Sequence, residues 1–180
     1  NTLDLRKESD NVFFVKDSLV KIGDQEIKFF KEKMAKSPHK SIRLCMHKDI
    51  KELVHEMLIL HSKEVYIRPH KHPKKDVSYH IIEGMADMVV FDEKGGIIDV
   101  TALGEYGTGR NYFYRLNEHH YYMPLVYSDF LLFHETMNGP FKPSDTIYAS
   151  WAPALSDSRA VSQYREKLIS NVNKFIHSRN

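Results

Sequence analysis

The sequence holds one cysteine, Cys45, among 180 residues. A single thiol excludes an intrachain disulfide framework and any cysteine-rich zinc site. Long hydrophobic runs are missing too; none approaches the roughly 18 residues a membrane helix needs. There is no excess of one charge: 26 Lys and Arg stand against 24 Asp and Glu. That balance argues against a strongly basic nucleic-acid binder and against an acidic tail protein. Gly104-Glu105-Tyr106-Gly107-Thr108-Gly109 lacks the lysine and the strand–helix setting of a phosphate loop. No serine nucleophile elbow, internal repeat or low-complexity tract is found. Asn1 to Asp10 is polar and charged rather than signal-like, so a cytoplasmic setting is expected. What remains, 42% hydrophobic and 28% charged, is ordinary globular composition for one domain.

Histidine is what the chain has in surplus, 11 in all. It is the residue of metal ligation, proton transfer and pH response near neutrality. The surrounding pattern is mainly strand. Asp24 to Lys36 reads as a helix, with apolar Ile27, Phe30 and Met34, a candidate cap in Asp24, and a stop at Ser37-Pro38. From Ile42 to Trp151, short Val/Ile/Tyr/Phe segments alternate with turn signals. The predicted strands are 53–60, 65–70, 78–82, 86–91, 97–103, 111–116, 121–126, 130–134 and 146–151. Asp92-Glu93-Lys94-Gly95-Gly96 predicts a hairpin turn. Ser156 to Ile176 is helical again, capped by Ser156 or Asp157, with Val161, Tyr164, Leu168, Val172 and Phe175 as its apolar stripe. That stripe packs on the barrel or on a second copy of the chain, so a homodimer is expected. Many short strands at this spacing predict an antiparallel barrel or sandwich. The domain reading is an arm over 1–23, a barrel domain with its own helix over 24–153, and a C-terminal helix over 154–180.

The sharpest local feature is Arg68-Pro69-His70-Lys71-His72-Pro73. Residues i and i+2 of a strand share a face, so His70 and His72 can chelate one ion. Spacing alone is weak support, because ~0.7 His-x-His pairs are expected by chance at this histidine content. The residues that follow add to it. His70-x-His72, the intervening Pro73 to Glu83, and Gly84 resemble the first motif of the cupin superfamily. Val89-Val90-Phe91-Asp92-Glu93-Lys94-Gly95-Gly96 resembles the strand and turn that follow in its WbuC-like branch. Arg43 to His47 resembles that branch's opening strand. Phe133-His134-Glu135 with Gly139-Pro140-Phe141 resembles its late motif, and Tyr148 to Pro153 its closing one.

The resemblance implies a mainly β fold, a jelly-roll (double-stranded β-helix) barrel with an N-terminal and a C-terminal helix, whose mouth holds a divalent metal such as Fe, Zn, Mn or Ni. The family's ligands are two His and a Glu from the first motif and a His from the second. His70 and His72 match. Val77 stands at the Glu position and Tyr122 at the second-motif His. His120 is a candidate third ligand after a two-residue shift, with Asp76 and His134 as other substitutes. Tyr122 and Glu135 are candidate catalytic residues, as acid and buried base, against the alternative that both are packing or hydrogen-bonding residues. Arg68 either orients an anionic substrate or, as the commoner outcome, makes a surface ion pair. Either His80 or its neighbours Tyr79 and Ile81 face inward, and Cys45 reads as buried and inert. The resemblance points to a metal-dependent enzyme on a sugar or sugar-nucleotide-like substrate in polysaccharide biosynthesis. The alternatives are a metal-free sugar isomerase or epimerase, and a ligand-binding barrel without chemistry. A small, carbohydrate-like molecule is the expected partner, with neither nucleic acid nor membrane.

Overall fold

Strand residues alternate between two faces, and here both faces are apolar over long stretches, which requires a layer on each side of each sheet. The computed structural model describes residues 3–117 and 119–179. Its strands are β1 (Leu5–Lys7), β2 (Val12–Val15), β3 (Ser41–Cys45), β4 (Val54–Ser62), β5 (His70–Lys71), β6 (Val77–Glu83) and β7 (Met85–Phe91). They continue with β8 (Ile97–Gly104), β9 (Phe113–Leu116), β10 (Tyr121–Val126), β11 (Phe130–Asn138) and β12 (Ile147–Tyr148). Helices α1 (Asp24–Lys36) and α2 (Ser158–His177) flank them. One sheet runs β1-β2-β3-β4-β11-β6-β9 and the other β12-β5-β10-β7-β8. All pairings are antiparallel except β2 with β3. This is the expected jelly-roll barrel.

The sheets face one another over a core that includes Met57, Ile59, Tyr79, Met88, Val90, Leu131 and Phe133. Phe30 and Met34 of α1 cover the outer face of the first sheet, on Ile42, Leu44, Leu58, Leu60 and Leu132. Leu168 and Val172 of α2 cover the second, on Val89, Phe91, Met123 and Leu125. Burying each large apolar side chain contributes about 1.5–3 kcal/mol. The α2 stripe therefore packs on its own barrel. Trp151 joins this outer layer, with its ring 5.2 Å from Phe91 and 5.8 Å from Tyr121. It also sits against the β7–β8 turn, where Gly95 has a φ of +86° and a Cβ would lie 2.9 Å from the indole.

The ends of several elements differ from expectation. The cap of α1 is Gly23, whose N–H donates to Glu26 Oε2 at 2.9 Å, while Asp24 is already helical. For α2 the cap is Asp157, whose carboxylate accepts from Ala160 N at 2.9 Å. Of 65–70, only His70 is in a strand, because Pro69 removes a ladder donor. The residues 5–15 add two strands to the edge of the first sheet. Among the described residues, no helix is long and apolar enough to cross a membrane.

Candidate functional site

In β3, β4, β6 and β11 the odd-numbered residues point between the sheets; in β7 and β10 the even-numbered ones do. The inward set mixes apolar and polar side chains. It leaves a cavity of about 450 Å³ lined by Arg43 of β3, His61 of β4, His70, His72, Tyr79 of β6 and Glu135 of β11, among others. His47, His55 and Phe141 wall one end, and Arg68 and Tyr148 another part.

Two backbone carbonyls fix the His-x-His pair. His70 Nδ1 donates to Arg68 O at 2.9 Å, and His72 Nδ1 donates to Asp145 O at 3.1 Å. With Nδ1 protonated in each neutral ring, the lone pair lies on Nε2. The rings stand 5.1 Å apart. Burial pulls the His70 pKa down to about 4 and lowers that of His72, so both are neutral near pH 7. His61 is more confined still; burial takes it to about 3, and its Nδ1 meets Ser41 Oγ at 2.9 Å. His47 and His55 stack with centroids 4.0 Å apart.

Glu135 pairs in register with Tyr79 on one side and Met57 on the other. Burial raises its pKa, against the opposing pull of Arg43 and of the Tyr79 hydroxyl. Tyr122 lies deeper, 2% exposed, below the histidine pair: its ring is 4.7 Å from His70 and 6.2 Å from His72. Burial drives its hydroxyl pKa well up, which makes it a poor proton donor. Arg68 Nη2 donates to Ala149 O at 2.7 Å, and its Nε is buried without a hydrogen bond. It makes no ion pair among the described residues, so the surface-pair expectation is corrected.

The structure thus brings His70, His72 and Glu135 to one cavity, with Tyr122 beneath them. His120 precedes β10 and is not among the lining residues. Asp76 pairs with the exposed Arg115 at 2.7 Å, and His134 projects from the opposite face of β11, 3.8 Å from Glu56. Val77 is buried in the inner core. Tyr79 and Ile81, rather than His80, face inward. Cys45 is buried, with its thiol pushed up to about 11. The sequence reading missed Arg43, His61, His47 and His55. Their signal is the i, i+2 spacing on strands whose other face is apolar: Ser41, Arg43, Cys45 against Ile42, Leu44.

These donors do not fit a resident divalent metal. Two imidazoles fall short of the three or four protein ligands such an ion takes. Among the described residues, no three His, Cys, Asp or Glu side chains come together in a metal-holding group.

A family model described as a domain of unknown function (DUF6016) matches residues 22–103, from the start of α1 to the end of β8. No curated protein matches the chain in sequence. Protein SO0799 from Shewanella oneidensis is similar in structure, with a TM-score of 0.53 and 12% identity over 72% of this chain and 85% of that one. A double-stranded β-helix protein from Klebsiella pneumoniae gives a TM-score of 0.48 at 13% identity, over 63% of this chain and 88% of that one. KdgF from Halomonas sp. gives 0.45 at 10% identity, over 60% and 86%. Likeness at these identities concerns the fold alone. That fold is a double-stranded β-helix, its two sheets enclosing a cavity of about 450 Å³.

Proposed function

We propose that the barrel cavity is the site of a small-molecule enzyme that moves protons with its own side chains, acting on a sugar or sugar-nucleotide-like substrate. The observation that carries this reading is the tethering of both Nδ1 atoms, at His70 and His72, to backbone carbonyls. It leaves two oriented Nε2 lone pairs as bases. Glu135, held toward its protonated form by burial, lines the same cavity and serves as the acid. A proton leaves a substrate carbon beside a carbonyl for one imidazole, and Glu135 gives its proton to the carbonyl oxygen. Reversal with return of the proton to another face or carbon completes an epimerisation or isomerisation. Tyr122 packs against His70 from outside the lining set and does not donate. The sugar class rests on the WbuC-like resemblance.

The test is proton exchange in heavy water. Chelator-treated protein is incubated with a panel of aldoses, ketoses and nucleotide sugars, and deuterium entry at carbon is followed by NMR. The expected result is enzyme-dependent exchange that falls about 10²–10⁴-fold in H72A and E135Q. Binding without exchange across the panel overturns the reading in favour of a non-catalytic barrel.

A second reading, chemistry that needs an added divalent cation at His70 and His72, lacks the expected third ligand, since His120 is not among the lining residues, and is favoured by one observation. A carbonyl holding Nδ1–H is also the arrangement that orients metal-binding imidazoles. Exchange that appears only on adding a divalent cation supports it and overturns the first.

A further inference from the structure

Arg43 sits in the middle of β3, between Ile42 and Leu44, which face the opposite way into the layer under α1. Its side chain lines the cavity. Burial is the main cause of the lowered proton affinity of His61, His70 and His72, and the Arg43 charge adds to it; all four side chains line the same cavity. Yet among the described residues Arg43 donates no side-chain hydrogen bond and forms no ion pair. A guanidinium carries five N–H donors in a fork matched to carboxylate and phosphate. Arg43 is exposed, so its fork stands at the open part of the cavity, where an anionic group can replace the water on those donors.

Arg68 adds to the same donor set. It lines the cavity, commits one nitrogen to Ala149 O, and keeps its buried Nε without a partner. The acidic groups nearby do not answer it. Glu8 at the rim is held by Arg6 at 2.6 Å, and Asp145 neighbours Lys75 at 3.6 Å. Glu135 is biased toward its neutral form by burial. The His61 and His70 imidazoles are neutral near pH 7. Among the described residues, then, Arg43 and Arg68 bring positive charge to the lining without an ion pair.

We propose that the cavity takes a ligand bearing an anionic group, a carboxylate or a phosphate, bound by the guanidinium of Arg43 with Arg68 assisting. This rests on the reading of the barrel as a small-molecule site, and it makes the substrate an acidic or phosphorylated polyol instead of a neutral sugar. Arg43 is then the residue that selects the ligand class, while the histidines and Glu135 act on its carbon skeleton.

Three probes of similar size separate the possibilities: gluconate, glucose 6-phosphate and glucose, each titrated into the full-length protein by calorimetry. At least one anion is expected to bind ten times or more tighter than glucose; the stronger of the two identifies the group as carboxylate or phosphate. R43Q should weaken that anion at least tenfold. R43K, which keeps the charge but loses the fork, should fall between and serves if R43Q does not fold. D157A, which removes the α2 cap outside the cavity, should leave anion binding within about threefold. Equal binding of all three probes, no binding of any, or unchanged affinity in folded R43Q and R43K would overturn the proposal. Anion binding that depends on Arg43 without deuterium exchange would sink only the catalytic reading.

Discussion

Tyr122 of β10 pairs with His70 of β5 across the second sheet, and its ring packs 4.7 Å from the imidazole. The phenol occupies the place where the cupin resemblance expects a third imidazole. Its hydroxyl is buried without a hydrogen bond of normal geometry, so replacement removes no strong partner. Tyr122→His should therefore be tolerated and should complete a three-imidazole set. We expect zinc affinity at least about tenfold higher than in the unmodified protein, read by calorimetry. Unchanged affinity would show that position 122 lies out of reach of the pair.

His61 predicts an acid limb in stability. Its pKa is about 3 in the folded chain, against an ordinary 6.5, because it is buried beside Phe133 and faces Ser41 and Arg43. The unfolded chain therefore takes up the proton first, and stability falls as pH drops from about 6.5 toward 3. The slope for one such histidine approaches about 1.4 kcal/mol per pH unit. In H61Q the decline between those values should be visibly shallower in denaturant midpoints, although His70 continues to contribute.

Glu135 gives the opposite dependence. A carboxyl whose folded pKa lies above its unfolded value weakens the fold as pH rises through that interval. E135Q removes the titration. It should melt higher than the unmodified protein at about pH 8 and no higher at about pH 4, where both carry a neutral group. A variant that melts lower at both values would mean that the carboxylate is a needed partner of Arg43 and Tyr79.

Gly84 joins β6 to β7 at a φ of +94°, and a Cβ there would run into the Phe130 carbonyl oxygen. G84A should cost about 1–3 kcal/mol or more, since neither backbone can relax without disturbing the ladder. D157A, by contrast, removes only the α2 cap and should cost about 1 kcal/mol. Both are read from chemical denaturation, and an equal loss would mean that α2 holds the second sheet more firmly than its cap suggests.

The barrel was largely legible in the sequence because β-branched and aromatic residues fall at period two between turn residues. The limits of β10 and of α1 coincide with those expected. His70, His72, Tyr122 and Glu135 were all identified, the last two through motif position. Arg43 and His61 were not, for a physical reason. Alternation divides a strand into two faces without saying which one is enclosed, and here the α1 layer takes Ile42, Leu44, Leu58 and Leu60 while polar residues turn into the barrel. The usual rule of apolar-in, polar-out then assigns the cavity lining to solvent. Two-residue strands such as β5 and β12 lack the length for any period to be read.

The chain has one tryptophan, and it lies on the far side of the second sheet from the cavity, between Phe91, Tyr121 and the Gly95 turn. Its intrinsic fluorescence is therefore a gauge of the α2 layer. A ligand entering the barrel should leave the emission nearly silent, whereas detachment of the C-terminal helix should redden it before the inner sheets part.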